Sequence, residues 1–373
     1  MVKMMTVRLG DIIKTNQKTY SPNEKWKFVN YLDTGNITEN KIDKIQYIDI
    51  STDKLPSRAK RKVERDSIIY STVRPNQKHY GIIRNQPENF LVSTGFVVID
   101  VDKDKAVPDY IYYILSQHEI IDYLQAIAEQ GVSAYPSLKP IDIENLQVSL
   151  PDLDIQRKVV SLLSVIEGKI FQNITINNNL EKQAQVIFEH MFPNINLGKK
   201  CIGDMVIPKR GKTLISRNTI SGNVPVVAGG IEPSVYHNTA NTTPPVLTIS
   251  ASGANAGYVS LWNIPVWASD SSYIDATMTK DVYFWYVLLK KRQKEIFEMQ
   301  TGSAQPHIYP QHIASMSMAE IKSTEISEYS AIVTPIFKKI GITIAENVYL
   351  VNLQRILLPK LMSGQLDISK IRL

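Results

Sequence analysis

Between Lys54 and Arg84 the chain places Arg58, Lys60, Arg61, Lys62, Arg65, Arg74 and Lys78 against only Glu64 and Asp66. Such a density of cations makes a local positive field suited to phosphates, and an arginine can also fork onto guanine in the major groove. A charge run is equally the mark of a solvated loop, so the residues beside it carry the decision. Ser71-Thr-Val-Arg-Pro-Asn-Gln-Lys-His-Tyr80 combines hydroxyls, amides, an imidazole and a phenol ring, the donors and acceptors that read base edges. This assigns Arg58, Lys60, Arg61 and Lys62 to phosphate positioning, with Ser71, Arg74, Gln77, Lys78 and His79 as base readers. A thinner version follows in Lys209-Arg-Gly-Lys212, Arg217 and Tyr236, then Ser250-Ala-Ser-Gly-Ala-Asn255, where small residues let backbone approach a ligand closely. There Lys209, Arg210, Lys212, Arg217, Tyr236, Ser252 and Asn255 are the candidates.

Catalytic equipment is not legible. No GxxxxGK[ST] or GxGxxG phosphate loop occurs, and no GxSxG nucleophile elbow. The six histidines lack HExxH or other ligand spacing, so His79, His237, His307 and His312 read as surface or groove residues. Thr243-Pro-Pro-Val246 lacks the polar and aromatic ends that amino-methyl transfer needs. The carboxylates Asp49 with Asp53, and Asp100 with Asp102 and Asp104, read as surface acids rather than a metal site. The expectation is a chain that catalyses nothing alone and holds neither metal nor cofactor.

What must position these residues is written twice. Tyr110-Ile-Tyr-Tyr-Ile-Leu115 leads to Gly131-Val-Ser-Ala, Pro136 and Pro140, and Tyr283-Phe-Trp-Tyr-Val-Leu288 leads to Gly302-Ser-Ala-Gln, Pro306 and Pro310. Order, spacing and residue character all recur, as in a tandem duplication. Leu9-Gly-Asp11 opens the first half much as Ile202-Gly-Asp204 opens the second, and Ile141–Val148 and Gln311–Met318 alternate as half-buried strands should.

Each copy ends in a long helical pattern. Ile155, Val159, Leu162, Ile166, Ile170 and Ile174 form one apolar stripe, with Asp154 as its cap; Val333, Ile336, Ile340, Ile344, Val348 and Val351 form the other. A helix from 155 to 191 would run about 55 Å, too long for one small core, so the two stripes are expected to pack seam to seam. Pro335, Gly341 and Pro359 predict a kink or late start in the second helix, and Asn173 and Asn177-Asn-Asn179 interrupt the first seam. The expected architecture is α/β (α+β): two globular domains at 1–150 and 196–322, with long helices at 151–195 and 323–373 forming an antiparallel coiled coil in a pseudo-twofold duplication.

At 373 residues and 43% hydrophobic content the chain can bury two cores. The lone Cys201 excludes a disulfide framework and a cysteine zinc site, which suits a reducing cytoplasm. A formal charge of +6 and pI near 9.0 lean toward a polyanionic partner. No signal-peptide pattern opens the chain and no apolar run reaches the roughly 18 residues of a spanning helix, so a cytoplasmic protein without membrane contact is expected.

Nearly the whole chain resembles the DNA specificity subunits of type I restriction-modification systems. The carriers are Gly302-Ser-Ala-Gln-Pro-His-Ile308 with its preceding aromatic helix, Ile141 to Leu150 ending at Pro151, and Ile155-Gln156 at a helix start. Leu357-Leu-Pro-Lys-Leu-Met-Ser-Gly364 and Asp66-Ser-Ile-Ile-Tyr-Ser-Thr-Val-Arg-Pro75 add to them. Departures are Thr324-Glu-Ile-Ser327 in place of a Glu-Gln helix start, and a loose match of Val246 to Ser252 with Ile68 to Arg74. The resemblance implies two target recognition domains, each gripping one half of an asymmetric bipartite site on double-stranded DNA, with the helices as a ruler. It also implies two methyltransferase subunits and two motor-nuclease restriction subunits as partners, with S-adenosylmethionine, ATP and magnesium on those partners. Two rival readings are a self-contained DNA methyltransferase or nuclease, which would act without partners, and a coiled-coil protein scaffold, which would be indifferent to DNA sequence.

Overall fold

The computed structural model describes residues 3–130, 137–302, 305–366 and 368. Gly131-Val-Ser-Ala134, Pro136 and Ser303-Ala304 of the repeated pattern lie outside the described residues. The chain divides into two units, Met1–Gly168 with Leu350–Leu373, and Lys169–Tyr349. Its α-helices are α1 (Pro108–Leu115), α2 (His118–Gln130), α3 (Pro140–Glu144), α4 (Leu153–Met191), α5 (Val282–Lys291), α6 (Gln293–Glu298), α7 (Pro310–Ala314) and α8 (Ser323–Met362).

The first unit is built on two four-stranded sheets. One is antiparallel, in the order Ile13–Thr15, Phe96–Val101, Ile68–Ser71, Tyr80–Ile82. Its central strands are continuous apolar runs because both faces are buried: Ile68, Tyr70, Val97 and Ile99 join the core of α1 and α2, while Ile69, Phe96 and Val98 join the core shared with the second sheet. That second sheet runs Gln46–Asp49, Phe28–Leu32, Phe90–Ser93, Ala59–Arg61, with the middle pair parallel.

The second unit repeats this order. Lys209–Arg210, Ser271–Asp275, Val246–Ser250 and Val259–Trp262 form its antiparallel sheet, and Val235–His237, Val224–Val227 and Trp267–Ala268 its second, again with one parallel pair. Among the described residues the strand Ala59–Arg61 has no counterpart here. Leu247, Ile249, Val259 and Ile274 bury against α5, in a core rich in rings: Phe188, Phe192, Phe284 and Tyr329.

The two opening turns and the short segments after the aromatic helices correspond closely. Leu9–Asp11 and Ile202–Asp204 are both 3-10 turns; the Leu9 amide donates to the Leu146 carbonyl (2.8 Å) and the Ile202 amide to that of Met316 (3.0 Å). Both expected strands prove to be a short helix followed by a strand: α3 then Gln147–Leu150, and α7 then Ser317–Met318. Pro140 and Pro310 occupy the first helical position, where their fixed φ starts a helix, and this outweighs the alternation after them.

The long helices meet in each unit. In the first, Val159 and Leu163 of α4 share a core with Leu361 and Met362 of α8, and the Gln354 amide donates to Glu167 (2.8 Å). In the second, the Tyr329 hydroxyl donates to the Ala184 carbonyl (2.9 Å) and Asn173 donates to Glu346 and Asn347 (2.9 and 2.8 Å), so the partners run antiparallel. The seam departs from the expected stripe. Val159 and Ile166 are buried, and Ile155, Leu162 and Ile170 are half-buried, but Ile174 is 47% exposed while Asn173 is fully buried. On α8, Val333 and Ile340 are buried and Ile336 half-buried, whereas Ile344, Val348 and Val351 are exposed and Thr343 takes the inner position. The reason is helical phase: seven residues return a side chain to within about 20° of its starting direction, whereas two successive steps of four carry it about 80° round.

Other corrections are local. Asp152, not Asp154, caps α4, its carboxylate accepting from the Ile155 amide (2.9 Å), while Asp154 pairs with Arg157. α8 is one helix of 40 residues through Pro335, Gly341 and Pro359. At Gly341 a Cβ would meet Asn263 at 2.8 Å, so glycine serves a close approach there rather than a break. α4 is long and apolar enough, by length and composition, to cross a membrane, contrary to the expectation that no segment is; 22% of that stretch is buried within the protein.

Candidate nucleic-acid interface

Backbone hydrogen bonds assemble one rim of the first unit from three separate segments. The Thr94 amide donates to the Arg58 carbonyl (2.8 Å), and the Thr72 amide to the Gly95 carbonyl (2.8 Å). The start of the strand Ala59–Arg61, the turn between Phe90–Ser93 and Phe96–Val101, and the turn between Ile68–Ser71 and Tyr80–Ile82 therefore lie side by side. Arg58 and Arg74, sixteen places apart in the sequence, come to the same edge. Both are exposed, and neither side chain makes a hydrogen bond or ion pair among the described residues. Gln77 is exposed on the same turn.

The rest of the basic cluster is dispersed. Lys60 is exposed farther along the strand. Arg61 is half-buried, its Nε without a partner among the described residues, and burial pushes its guanidinium below the usual range. Lys62 pairs with Glu24 and lies over the Trp26 ring (5.0 Å). Arg84 bridges Asp66 and Asp109 at the opposite end of the strand Ile68–Ser71. Lys78 pairs with Glu39 at 2.6 Å. His79 Nδ1 lies 2.6 Å from the Ile37 carbonyl, a bond that asks for a proton on that nitrogen. Ser71 is buried, its hydroxyl donating to the Val73 carbonyl (3.0 Å) and accepting from the Val73 amide (3.2 Å). It shapes the turn, and its assignment as a base reader is corrected on that ground.

The second unit builds the matching rim with a different charge. The Ala251 amide donates to the Asp270 carbonyl (3.1 Å), as Thr72 does to Gly95, and Ile308 to Ala251 (3.0 Å), as Leu138 does to Thr72 (2.7 Å). Asp270 accepts from Ser252 and pairs with Arg210 at 2.5 Å, so two candidate readers are held by one carboxylate. Lys209, Lys212 and Arg217 are exposed and unpaired among the described residues; the Lys212 carbonyl accepts from the Trp267 indole (2.8 Å). Tyr236 is 55% exposed on an edge strand, and Asn255 is half-buried in the turn. Reading the sequence overlooked Asp270 and Glu39, each of which neutralises a chosen cation. The stacked pair Phe28 and Tyr47 (5.4 Å), with Tyr47 66% exposed, was also missed. For Asp270 a signal existed, in an acid set among hydroxyls at Ser269-Asp-Ser-Ser272.

Residues 1–182 match a family model described as the type I restriction modification DNA specificity domain. The HindI type I restriction enzyme specificity subunit of Haemophilus influenzae is 27% identical over 241 residues, covering 63% of this chain and 51% of that protein. The match thus spans about half the length of that relative. The MjaIX specificity subunit of Methanocaldococcus jannaschii is 23% identical over 382 residues, covering 90% of this chain and 87% of that protein. Among solved structures, the type I restriction-modification S subunit from M. genitalium superposes with a TM-score of 0.59 at 17% identity, covering 96% of both chains, a likeness of fold.

Proposed function

We propose that this chain, a relative of the type I restriction enzyme specificity subunits, is a non-catalytic DNA-binding subunit in which each unit reads one half of a bipartite duplex site. The observation that carries this reading is the recurrence of one rim, a hairpin turn zipped to a neighbouring turn by the same backbone bonds, with cations unpaired among the described residues beside it in both units. Unpaired cations beside exposed turn backbone suit a helical polyanion, and two similar rims suit two stretches of it. The globular parts at 1–150 and 196–322 are two target recognition domains related by duplication, and α4 with α8 is the spacer between the half-sites. Two methyltransferase subunits, with S-adenosylmethionine, and two ATP- and magnesium-dependent restriction subunits are its partners in the cytoplasm. The apolar side chains that the helix pair leaves exposed, Phe171, Ile174, Val348 and Tyr349, offer those partners a surface.

The test is sequencing of modified adenines in cells expressing the chain together with a type I methyltransferase subunit. A split motif is expected, with one half altered by changes at Arg58 or Arg74 and the other by changes at Lys212 or Arg217. A motif unaltered by any of these changes, or methylation by the purified chain alone, overturns the reading.

A further inference from the structure

In the first unit's turn, Arg74 has φ +49° and Lys78 φ +57°; in the second unit's, Gly253 has φ +82° and Gly257 φ +89°. The two turns correspond position by position. Ser71 and Ser250 amides accept the same role, donating to the carbonyls of His79 (2.9 Å) and Tyr258 (3.0 Å), and Gln77 donates to Arg74 (2.9 Å) as Ala256 does to Gly253 (3.0 Å). Thus the first unit places arginine where the second places glycine, the residue that adopts this backbone at least cost.

Arg74 is the harder case of the two cations. Of the eight non-glycine residues with positive φ among those described, it alone precedes a proline, and the Pro75 ring disfavours a helical-type conformation of either hand before it. Among the described residues no side-chain contact of Arg74 repays this. The guanidinium is exposed and unpaired among the described residues, and the turn is shaped by Ser71 and the buried Pro75 rather than by the arginine side chain. Lys78, by contrast, is held by Glu39. A residue that is costly for the backbone and without a side-chain partner among the described residues points to a role toward a bound partner.

We infer that Arg74 is a specificity-determining residue of the first unit, its planar fork reading a guanine edge in the major groove, while the second unit's glycine turn leaves that position unread by a side chain. This rests on the DNA-binding reading above. The fork geometry matches the guanine O6 and N7 acceptors, which lysine cannot engage in the same bidentate way.

The test is selection of bound sequences from a randomised duplex library by the full chain, together with thermal unfolding of each variant. Arg74→Gly should leave the unfolding midpoint unchanged or raise it, while erasing a guanine preference at one position and weakening binding of the selected sequence by about tenfold to a hundredfold. Arg74→Lys should also lose that preference while keeping affinity for unselected DNA. Retention of the preference in Arg74→Gly, a lowered midpoint, or an equal loss on every sequence that lysine restores would overturn the inference. If the unaltered chain selects no sequence at all, the DNA-recognition reading fails instead.

Discussion

The two units share an order of strands and helices, yet their rims are opposite in economy. The first spends backbone strain to display Arg74 and leaves Gly95 at the neighbouring turn; the second relaxes its turn with Gly253 and Gly257 and sets Asp270 where Gly95 stands. That carboxylate holds Arg210 and Ser252 in place. One scaffold thus carries, at one rim, an arginine unpaired among the described residues and, at the other, a strand arginine clamped by a turn carboxylate. If these rims meet DNA as proposed, the sheets and helices fix where the surface lies, and the side chains set on it, mostly in turns, fix which groups it offers.

The largest contrast lies beneath the rims. Phe188 packs edge-on or tilted against Phe192, Phe284 and Tyr329 and is fully buried, so the second unit's core depends on rings in mutual contact. Phe188→Ala should cost about 3–5 kcal/mol, because the neighbouring rings, held by one another, cannot collapse into the void. Denaturant unfolding should then show the second unit melting early while the first unit's transition stays put; a single transition displaced as a whole would mean that the units do not unfold separately.

A smaller effect sharpens the rim comparison directly. Asp270→Asn releases Arg210 and Ser252 and removes one negative charge from the second rim. Binding to unselected duplex should strengthen, with the salt dependence steeper by about 0.9 in log K against log salt, the increment for one further phosphate contact. Titrations at several salt concentrations measure this. An unchanged slope would place that rim away from DNA.

These contrasts mark how far the sequence could be read. The duplicated order was legible because opening turn, aromatic helix, proline and long helix recur as residue patterns, and the structure has a 3-10 turn, an aromatic helix, a short proline-led helix and a long helix in that order twice along the chain. The short helices α3 and α7 were mistaken for strands, since five residues, the first a proline, carry too little periodicity to compete with alternation. In the candidate site, Arg58 and Arg74 were legible as exposed cations, but the partners Glu39, Glu24 and Asp270 lie 18 to 60 residues from the groups they hold, and charge density along a chain is blind to pairing in space. Strain at Arg74 was invisible for a different reason: an arginine before a proline reads as extended until φ is known.

The helix seam gives a third test. Asn173 is fully buried, and its Oδ1 has no hydrogen-bond partner among the described residues. Asn173→Leu removes that orphaned acceptor and continues the apolar heptad from Val159 and Ile166, while Glu346 and Asn347, both half-buried, can turn to water. Stability of the second unit should rise by about 1 kcal/mol. A loss of similar size would show that the asparagine's two donated bonds outweigh its unpaired oxygen.

The smallest expected effect belongs to the other end of the same helix pair, in the first unit. Burial pushes the Glu167 carboxyl above its ordinary range, although the Tyr113 hydroxyl and the Gln354 amide both donate to it and work in the opposite direction. Because the folded chain then holds this proton more tightly than the unfolded chain, stability falls as pH rises from the ordinary glutamate value through the raised folded one, and the loss persists above it. Glu167→Gln should therefore leave stability unchanged in acid and raise it near neutrality, flattening that part of the pH profile. Unfolding measured from acidic to neutral pH checks the sign: a variant that loses stability at neutral pH would mean that the two donated hydrogen bonds, not the desolvation of the carboxylate, govern this contact.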